Sequence, residues 1–549
     1  MDLNLAAAHE AIAAAIPDRE CIVFRDKRFT WAEVNDRTRR LANALLARGL
    51  GTVVERESLA GHESGQDHLA IYLYNGNEYL ETMLGAFKAR VAPFNVNYRY
   101  VAEELQYLLA DSGAKAIVYQ SAFAPTLAEV RDALPSLRVL IQVADDSGHD
   151  LLPGAEWYED VLAAASAEAP PVIPSPDDLY ILYTGGTTGM PKGVLWRQAD
   201  IFVEALGGRR NDGTPFEDYE TLVAGASGAE GGLRAVLAPP FMHGAGHWMS
   251  FLTFHRGGTV FIQSNPERLD PADIWSLIER EKVAFLLIVG DAFARPLLDE
   301  LDRNTYDLSS LTVLLSGGAP LSAPLKQEFL SHLPALIVVV GLGSSEAGGQ
   351  MQHVSAGGAA STGTFMLSPG NHVLSADLTR ELGEEDDEIG WLAKSGRLAL
   401  GYLGDAEKTA RTYPTVNGVR YAVPGDRARV RPGMVVELHG RDSVTINSGG
   451  EKIFAEEVEH ALRHHPAVYD VVVAPRPSDR WGQEVVAIVR LRDGFEASDA
   501  LEAELLDESE KHIARYKLPK AFVFRDEIVR SPAGKADYRW ARSVAVGEG

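Results

Sequence analysis

The sequence predicts an α/β protein: a large N-terminal domain of layered α/β subdomains, followed by a small C-terminal α+β domain. Three observations carry this. Strand-like and helix-like segments alternate through the first two thirds, the pattern of largely parallel sheets covered by helices. At 549 residues the chain exceeds the roughly 250–300 that one core supports, so it must divide. The texture changes around Gly440, where a turn opens a run of elements long enough for a domain of about 110 residues. The division is therefore drawn at 1–440 and 441–549.

The opening stretch, Met1–Ile16, places apolar residues at helical spacing and reads as an amphipathic surface helix. It lacks the basic start and continuous apolar centre of a secretion signal. His68–Leu73 reads as a strand, and Glu78–Arg90 as the helix after it. Ala116–Tyr119, Val139–Val143 and Ala284–Val289 read as buried strands. Gly207–Gly232, rich in Gly, Ala and acidic residues with weak periodicity, reads as a long surface excursion of the kind that serves as a lid. Ala428–Leu438 reads as a hairpin. Beyond Gly440 come a helix (Ala455–His464), strands (Asp470–Ala474, Glu484–Leu491), a helix (Ser498–Arg515) and a last strand (Ala521–Arg525).

Composition narrows the function. Lys and Arg number 52 against 77 Asp and Glu, a formal charge of −25, which argues against a nucleic-acid partner. Anionic small ligands remain open, because a local basic cluster or a metal overrides the overall field. A single cysteine, Cys21, cannot form an internal disulfide, and no Cys/His set has zinc spacing. Apolar runs such as Ala284–Val289 and Ala335–Val340 reach six residues, far from the about 20 of a membrane helix. A cytoplasmic protein without a transmembrane segment is expected.

The most informative stretch begins at a strand, Tyr180–Tyr183, and continues as Thr184, Gly185, Gly186, Thr187, Thr188 and Gly189, with Lys192 after Pro191. Glycines let successive backbone N–H groups curl around an oxyanion, threonine hydroxyls add donors, and a lysine adds charge. Such a loop suits a polyphosphate. It is not a Walker A loop, since Lys192 stands between Pro191 and Gly193 rather than before Ser or Thr.

The run resembles the phosphate loop of the adenylate-forming superfamily, which includes acyl-CoA synthetases, nonribosomal adenylation domains and firefly-type luciferases. Gly185 stands where Ser is usual, removing one hydroxyl donor while leaving the backbone cradle. Further motifs fall in the family's order, and with Asn95–Tyr100 the resemblance covers nearly the whole chain. Gly317, Gly318 and Ala319 follow an apolar strand, Leu311–Leu315, and match the segment lining the adenine. Gly343, Ser344, Ser345 and Glu346 match a motif whose acid binds Mg²⁺ and whose hydroxyl meets the α-phosphate or acyl carboxylate; Leu342 replaces the usual aromatic. Asp426 matches the ribose-binding acid, Arg441 a ribose or phosphate contact, and Ser443 the pivot position. Gly449, Gly450 and Lys452 match the motif that forms the pantetheine tunnel. Lys535, in a Pro-x-Gly-Lys loop, matches the adenylation lysine.

The resemblance implies a mobile C-terminal domain and an ATP-dependent acyl-CoA ligase using ATP, Mg²⁺ and coenzyme A, with Lys535 and Glu346 as the catalytic pair and Glu346 as the metal ligand. The acid is expected to bind near His243 and Gly244, where Phe241, Met242, Trp248 and Met249 make the segment apolar. The wording of the motifs is similar to actinobacterial ligases for fatty acids and steroid side-chain carboxylates, so such an acid is the expected substrate. An enzyme that loads a carrier protein and a non-catalytic nucleotide sensor are the alternatives, and a homodimer is compatible with the sequence.

Overall fold

The computed structural model describes residues 2–548 except 185–189, 229–231, 357–363, 442–443, 449–450, 479–480, 514 and 532–533, with only the backbone described at 364, 441, 447, 451 and 452. The expected α/β architecture is present. One five-stranded sheet is parallel throughout, in the order Ala92–Asn95, His68–Tyr72, Ala116–Gln120, Val139–Val143, Glu156–Trp157. An eight-stranded sheet runs Gly348–Ser355, Ile337–Ser344, Val313–Gly317, Phe285–Ile288, Arg234–Leu237, Thr259–Ile262, Glu20–Phe24, Lys27–Thr30. Its inner pairings are parallel and its two outermost antiparallel. The inner strands from Phe285–Ile288 across to Glu20–Phe24 are near-continuous apolar runs because both faces are buried, whereas Val313–Gly317 and Ile337–Ser344 are buried at alternate positions.

Two further sheets are antiparallel. One holds Leu179–Thr184, Lys192–Arg197 and Gly401–Tyr402. The other holds Asp426–Arg431 and Val435–Arg441, the expected hairpin, beside Gly390–Lys394. From 445 onward a separate sheet forms, with Val468–Ser478 and Gly482–Leu491 at its centre and Ala521–Phe524 at its edge. Its two apolar clusters contain only residues beyond 443.

One expectation needs correction, and another is refined. The N-terminal helix, Leu5–Ala15, is no surface helix: Leu5, Ala6, Ala8, His9, Ile12 and Ala13 are buried, and Asn4 caps it by accepting from the Ala6 and Ala7 amides. The described part of Gly207–Gly232 is mostly exposed or half-buried, as a surface excursion should be, but it contains a regular element the weak periodicity did not suggest. Tyr219–Gly228 is a helix with Leu222 and Ala226 buried, and the Asn4 amide donates to the Tyr219 hydroxyl at 2.9 Å. Small residues allow this close helix packing but give weak apolar periodicity, which hides the helix in the sequence.

The chain also ends in a helix the sequence reading missed, Tyr538–Ala545, with Ala541, Val544 and Ala545 buried and Asp537 capping it. It packs on Val468–Ser478 and so anchors the chain three residues after Lys535. No described helix is long and apolar enough to cross a membrane.

Candidate active site

Thr184 and Lys192, which flank the Gly/Thr segment in sequence, are partners on the antiparallel strands Leu179–Thr184 and Lys192–Arg197. Gly185, Gly186, Thr187, Thr188 and Gly189 lie outside the described residues. Lys192 does not project unpaired: its Nζ lies 2.9 Å from Asp111 Oδ1. Burial disfavours its charge, but the bonds to Asp111 and Tyr107 outweigh that and raise its pKa. The same carboxylate accepts from the Tyr183 hydroxyl at 2.9 Å. Asn95 ties this hairpin to the apolar segment. Its side chain donates to the Tyr183 and Met242 carbonyls and accepts from the Tyr183 amide.

Gly317 and Gly341 are partners on adjacent parallel strands, so the two motifs ending those strands emerge side by side. Gly318 has φ +89°, a conformation that favours glycine. Ser316 is buried, and its hydroxyl accepts from the Gly290 amide at 2.9 Å.

Gly343 and Ser344 end one strand, and Ser345 and Glu346 form the tight turn into the antiparallel strand Gly348–Ser355. The Ser344 hydroxyl accepts from the Ala347 amide at 3.1 Å, and Trp196 Nε1 donates to the Ser345 carbonyl at 2.8 Å. The Glu346 carboxylate accepts from the Tyr402 hydroxyl at 2.8 Å, and its carbonyl from Tyr413 at 3.3 Å. Among the described residues Glu346 belongs to no three-ligand cluster. A single carboxylate fits Mg²⁺, which usually keeps waters and substrate phosphates as its other ligands.

Asp426 and Arg441 face each other across adjacent strands, so the two expected ribose contacts share one edge. Ser443, Gly449 and Gly450 lie outside the described residues. Lys452 is opposite Asn447 in a short hairpin.

His243 caps the helix Gly244–His255 from its N-terminal end. Its Nε2 is buried without a hydrogen-bond partner. Burial, reinforced by the Lys535 charge, pushes its pKa down to about 3, so the ring is neutral at physiological pH. A methyl on Gly244 would lie 3.1 Å from Leu182 and 3.2 Å from Trp248. Trp248 Nε1 donates to the Tyr180 hydroxyl at 2.7 Å, that hydroxyl bonds His247 Nε2, and His247 Nδ1 bonds the Phe241 carbonyl at 2.6 Å. With Nδ1–H donating to the carbonyl, Nε2 accepts from Tyr180, and the chain is complete.

Lys535 comes from the far end of the sequence to the same place. A methyl built on Gly318 would lie 3.8 Å from Lys535 Cε, and one on Gly534 would lie 3.1 Å from the Val289 carbonyl. The loop is braced from within: Arg530 donates to the Gly534 carbonyl at 3.1 Å and pairs with Asp470 at 2.6 Å. Beside it opens a cleft of about 180 Å³ lined by Asn75, Tyr98, Pro240, Phe293, Ser531 and Gly534, among others. Sequence reasoning missed Asp111, Trp196, Tyr402 and Tyr413. Each acts through a fold contact between distant segments, which local spacing cannot signal.

Paired strand ends met by a lysine from a second sheet fit an adenylate-forming enzyme. The chain belongs to the AMP-binding enzyme family, which it matches over residues 9–403, and the AMP-binding enzyme C-terminal domain matches residues 457–535. It is 56% identical over 541 residues, 98% of each chain, to the medium-chain acyl-CoA ligase Mig of Mycobacterium avium. It is 39% identical over 544 residues to a medium/long-chain-fatty-acid–CoA/3-oxocholest-4-en-26-oate–CoA ligase of Mycobacterium tuberculosis, covering 98% of this chain and 96% of that one. Among solved structures, the anthranilate CoA ligase AuaEII in complex with anthranoyl-AMP shares the fold at a TM-score of 0.82 and 19% identity, covering 99% of this chain and 97% of that one.

Proposed function

We propose that the protein is an AMP-forming acyl-CoA ligase for medium- to long-chain fatty acids, with steroid side-chain acids as the second substrate class. The reaction class is supported by curated relatives over nearly the full chain that are CoA ligases. Two of these carry fatty-acid or steroid-acid names, and the segment around His243 and Gly244 is correspondingly apolar: Phe241 and Met242 are buried.

A carboxylate cannot expel oxide, so its oxygen first bonds the α-phosphorus of ATP as the bond to the β-phosphate oxygen breaks and pyrophosphate leaves. The CoA thiol then attacks the acyl carbonyl and AMP leaves. The first step brings two anions together and calls for positive charge rather than a general base. Lys535 would supply that charge, and its approach to Gly318 is the observation that carries this assignment. Glu346 would hold Mg²⁺, which when bound neutralises polyphosphate charge. Thr184–Gly189 would cradle the β,γ-phosphates, with Lys192 exchanging Asp111 for phosphate. Gly317, Gly318 and Ala319 would line the adenine, and Asp426 with Arg441 would take the ribose. Gly343, Ser344 and Ser345 would border the α-phosphate.

We place the domain boundary at Gly440–Arg441, at the end of the strand Val435–Arg441 and just before the separate core that begins at Val444. Rotation there would withdraw Lys535 and bring Gly449, Gly450 and Lys452 to the CoA arm, a hinge transition between two catalytic states. A cytoplasmic location and a homodimer complete the proposal.

Pyrophosphate release measured with a panel of acids, with and without CoA, tests the reading. Release and thioester formation with fatty or steroid acids are expected. Turnover with only acetate or small aromatic acids overturns the substrate, acyl-AMP without thioester points to carrier loading, and no release points to a sensor.

A further inference from the structure

Asp291 and Arg463 form an ion pair at 3.4 Å, with side chains 15% and 13% exposed. They come from opposite sides of the proposed boundary. Asp291 opens the helix Gly290–Arg303. Arg463 closes the helix Ala455–Leu462 as its C-terminal cap.

What makes this pair informative is what else its members hold. Asp291 Oδ1 accepts from the Ser322 amide at 2.7 Å, and the Asp291 amide donates to the Pro320 carbonyl at 3.1 Å. The neighbouring Gly290 amide donates to Ser316. Residues 290 and 291 thus grip both ends of the segment 316–322, which carries the proposed adenine-lining glycines. One residue earlier, Gly534 packs close to Val289: a methyl on Gly534 would lie 3.1 Å from the Val289 carbonyl oxygen. Three consecutive residues therefore meet the proposed nucleotide loop, the C-terminal helix end and the Lys535 loop.

On the other side, Arg463 also reaches the Val471 carbonyl at 3.2 Å and Glu459 at 3.5 Å. Arg530, which braces the Lys535 loop, pairs with Asp470, the residue before Val471. The guanidinium is thus built into the same small framework that carries the lysine.

We propose that the Asp291–Arg463 pair is the latch that holds the C-terminal domain in its adenylate-forming arrangement and ties the seating of the adenine loop to the delivery of Lys535. Both are positioning residues, and the inference rests on the reading of Lys535 as the adenylation lysine on a rotating domain. The partners suit a latch that must open every cycle. When the domains part, Asp291 keeps the Ser322 amide and Arg463 keeps Glu459 and Val471. Neither is left as a lone buried charge, the situation that makes breaking most buried pairs expensive. Solvent reaches both as they separate, so opening and closing stay near balance, as a two-state hinge requires.

The test separates the half-reactions in the full chain. Asp291→Asn preserves shape, Arg463→Gln shortens the side chain, and each removes the charge attraction. Each is expected to slow acyl-AMP formation from ATP and a fatty acid by roughly 5- to 150-fold, the usual range of coupling between sites. Thioester formation from supplied acyl-AMP and CoA should stay within about twofold, since one linkage factor acts only on the closed state. The double variant Asp291→Asn with Arg463→Gln should be no slower than the slower single variant, because both remove one interaction, whereas two independent packing defects would add. Lys535→Ala is run alongside. If it shows the half-reaction asymmetry while the Arg463 and Asp291 variants slow both steps equally or neither, the latch is overturned. If Lys535→Ala itself slows both steps equally, the lysine assignment fails and the latch goes with it.

Discussion

The Tyr402 hydroxyl donates to the Glu346 carboxylate at 2.8 Å, joining the strand Gly401–Tyr402 to the tight turn that carries the proposed metal ligand. The tyrosine is itself 3% exposed, and Lys408 Nζ lies 4.1 Å from the centre of its ring. The ring is wedged between a cation and the core, so its hydroxyl has little freedom. Glu346 is thereby held with one oxygen accepting from a neutral donor.

Tyr402→Phe removes that donor without opening a cavity. A hydrogen bond to a charged group is worth about 1.5–3 kcal/mol, so adenylation is expected to fall roughly tenfold or more, with a raised Mg²⁺ requirement. Titrating Mg²⁺ against pyrophosphate release in both proteins measures it. An unchanged Mg²⁺ dependence would remove Tyr402 from the support of the metal site.

Lys535→Ala should lower acyl-AMP formation by roughly 10²–10³, the cost of losing one preorganised charge donor, while sparing thioester formation from supplied acyl-AMP. The geometry explains why alanine is the right replacement. The Lys535 amide and carbonyl bond within the loop to Ser531, so the backbone course does not depend on the ammonium group.

The boundary between what local sequence carries and what it does not runs through these sites. Motif glycines announce themselves, because Gly318 with its positive φ is a local backbone demand. Parallel strands such as His68–Tyr72, Ala116–Gln120 and Val139–Val143 read out as apolar runs because burial on both faces leaves no alternation to misread. By contrast, the helix Tyr219–Gly228 is built from small residues whose packing partner, Leu5–Ala15, lies over two hundred positions away. The lysine of the glycine loop shows the limit most clearly. Its charge is legible in sequence, but its pairing with Asp111, at the end of the helix Ala102–Asp111, is a fact of tertiary structure.

Trp248 is fixed by the Tyr180 hydroxyl and stands against Gly244, at the proposed acid-binding segment. Trp248→Ala is expected to enlarge that space and shift kcat/KM toward bulkier acids. One methylene in a hydrophobic pocket is worth about 1–3 kcal/mol, so an indole-sized change should move the preferred acid by several carbons. Tyr180→Phe removes both of its hydroxyl bonds and should broaden selectivity instead of moving it. A chain-length series assayed on the two variants separates these effects; identical profiles in wild type and Trp248→Ala would take the tryptophan out of the pocket wall.

Stability should fall on mild acidification, for a reason visible at His247 and His255. Both are buried, and burial lowers each pKa to about 4, although the Phe241 and Leu206 carbonyls oppose the shift. In the unfolded chain the same rings titrate near 6.5, so between about pH 6.5 and 4 the unfolded state binds more protons than the folded one. Stability is therefore fully present above 6.5 and declines as pH falls through that window, by about 1.4 kcal/mol per histidine per pH unit once the unfolded ring is protonated. Exposed carboxylates titrate below pH 5, while burial raises those of Glu78, Asp178, Asp291 and Glu459, so the histidine contribution between pH 6.5 and 5 is read as a difference between wild type and variant. Denaturant unfolding across that interval should show a slope that His255→Gln reduces by about one proton, because glutamine can keep a donor toward Leu206 but cannot titrate. A slope unaffected by that substitution would mean His255 takes up its proton in the folded state.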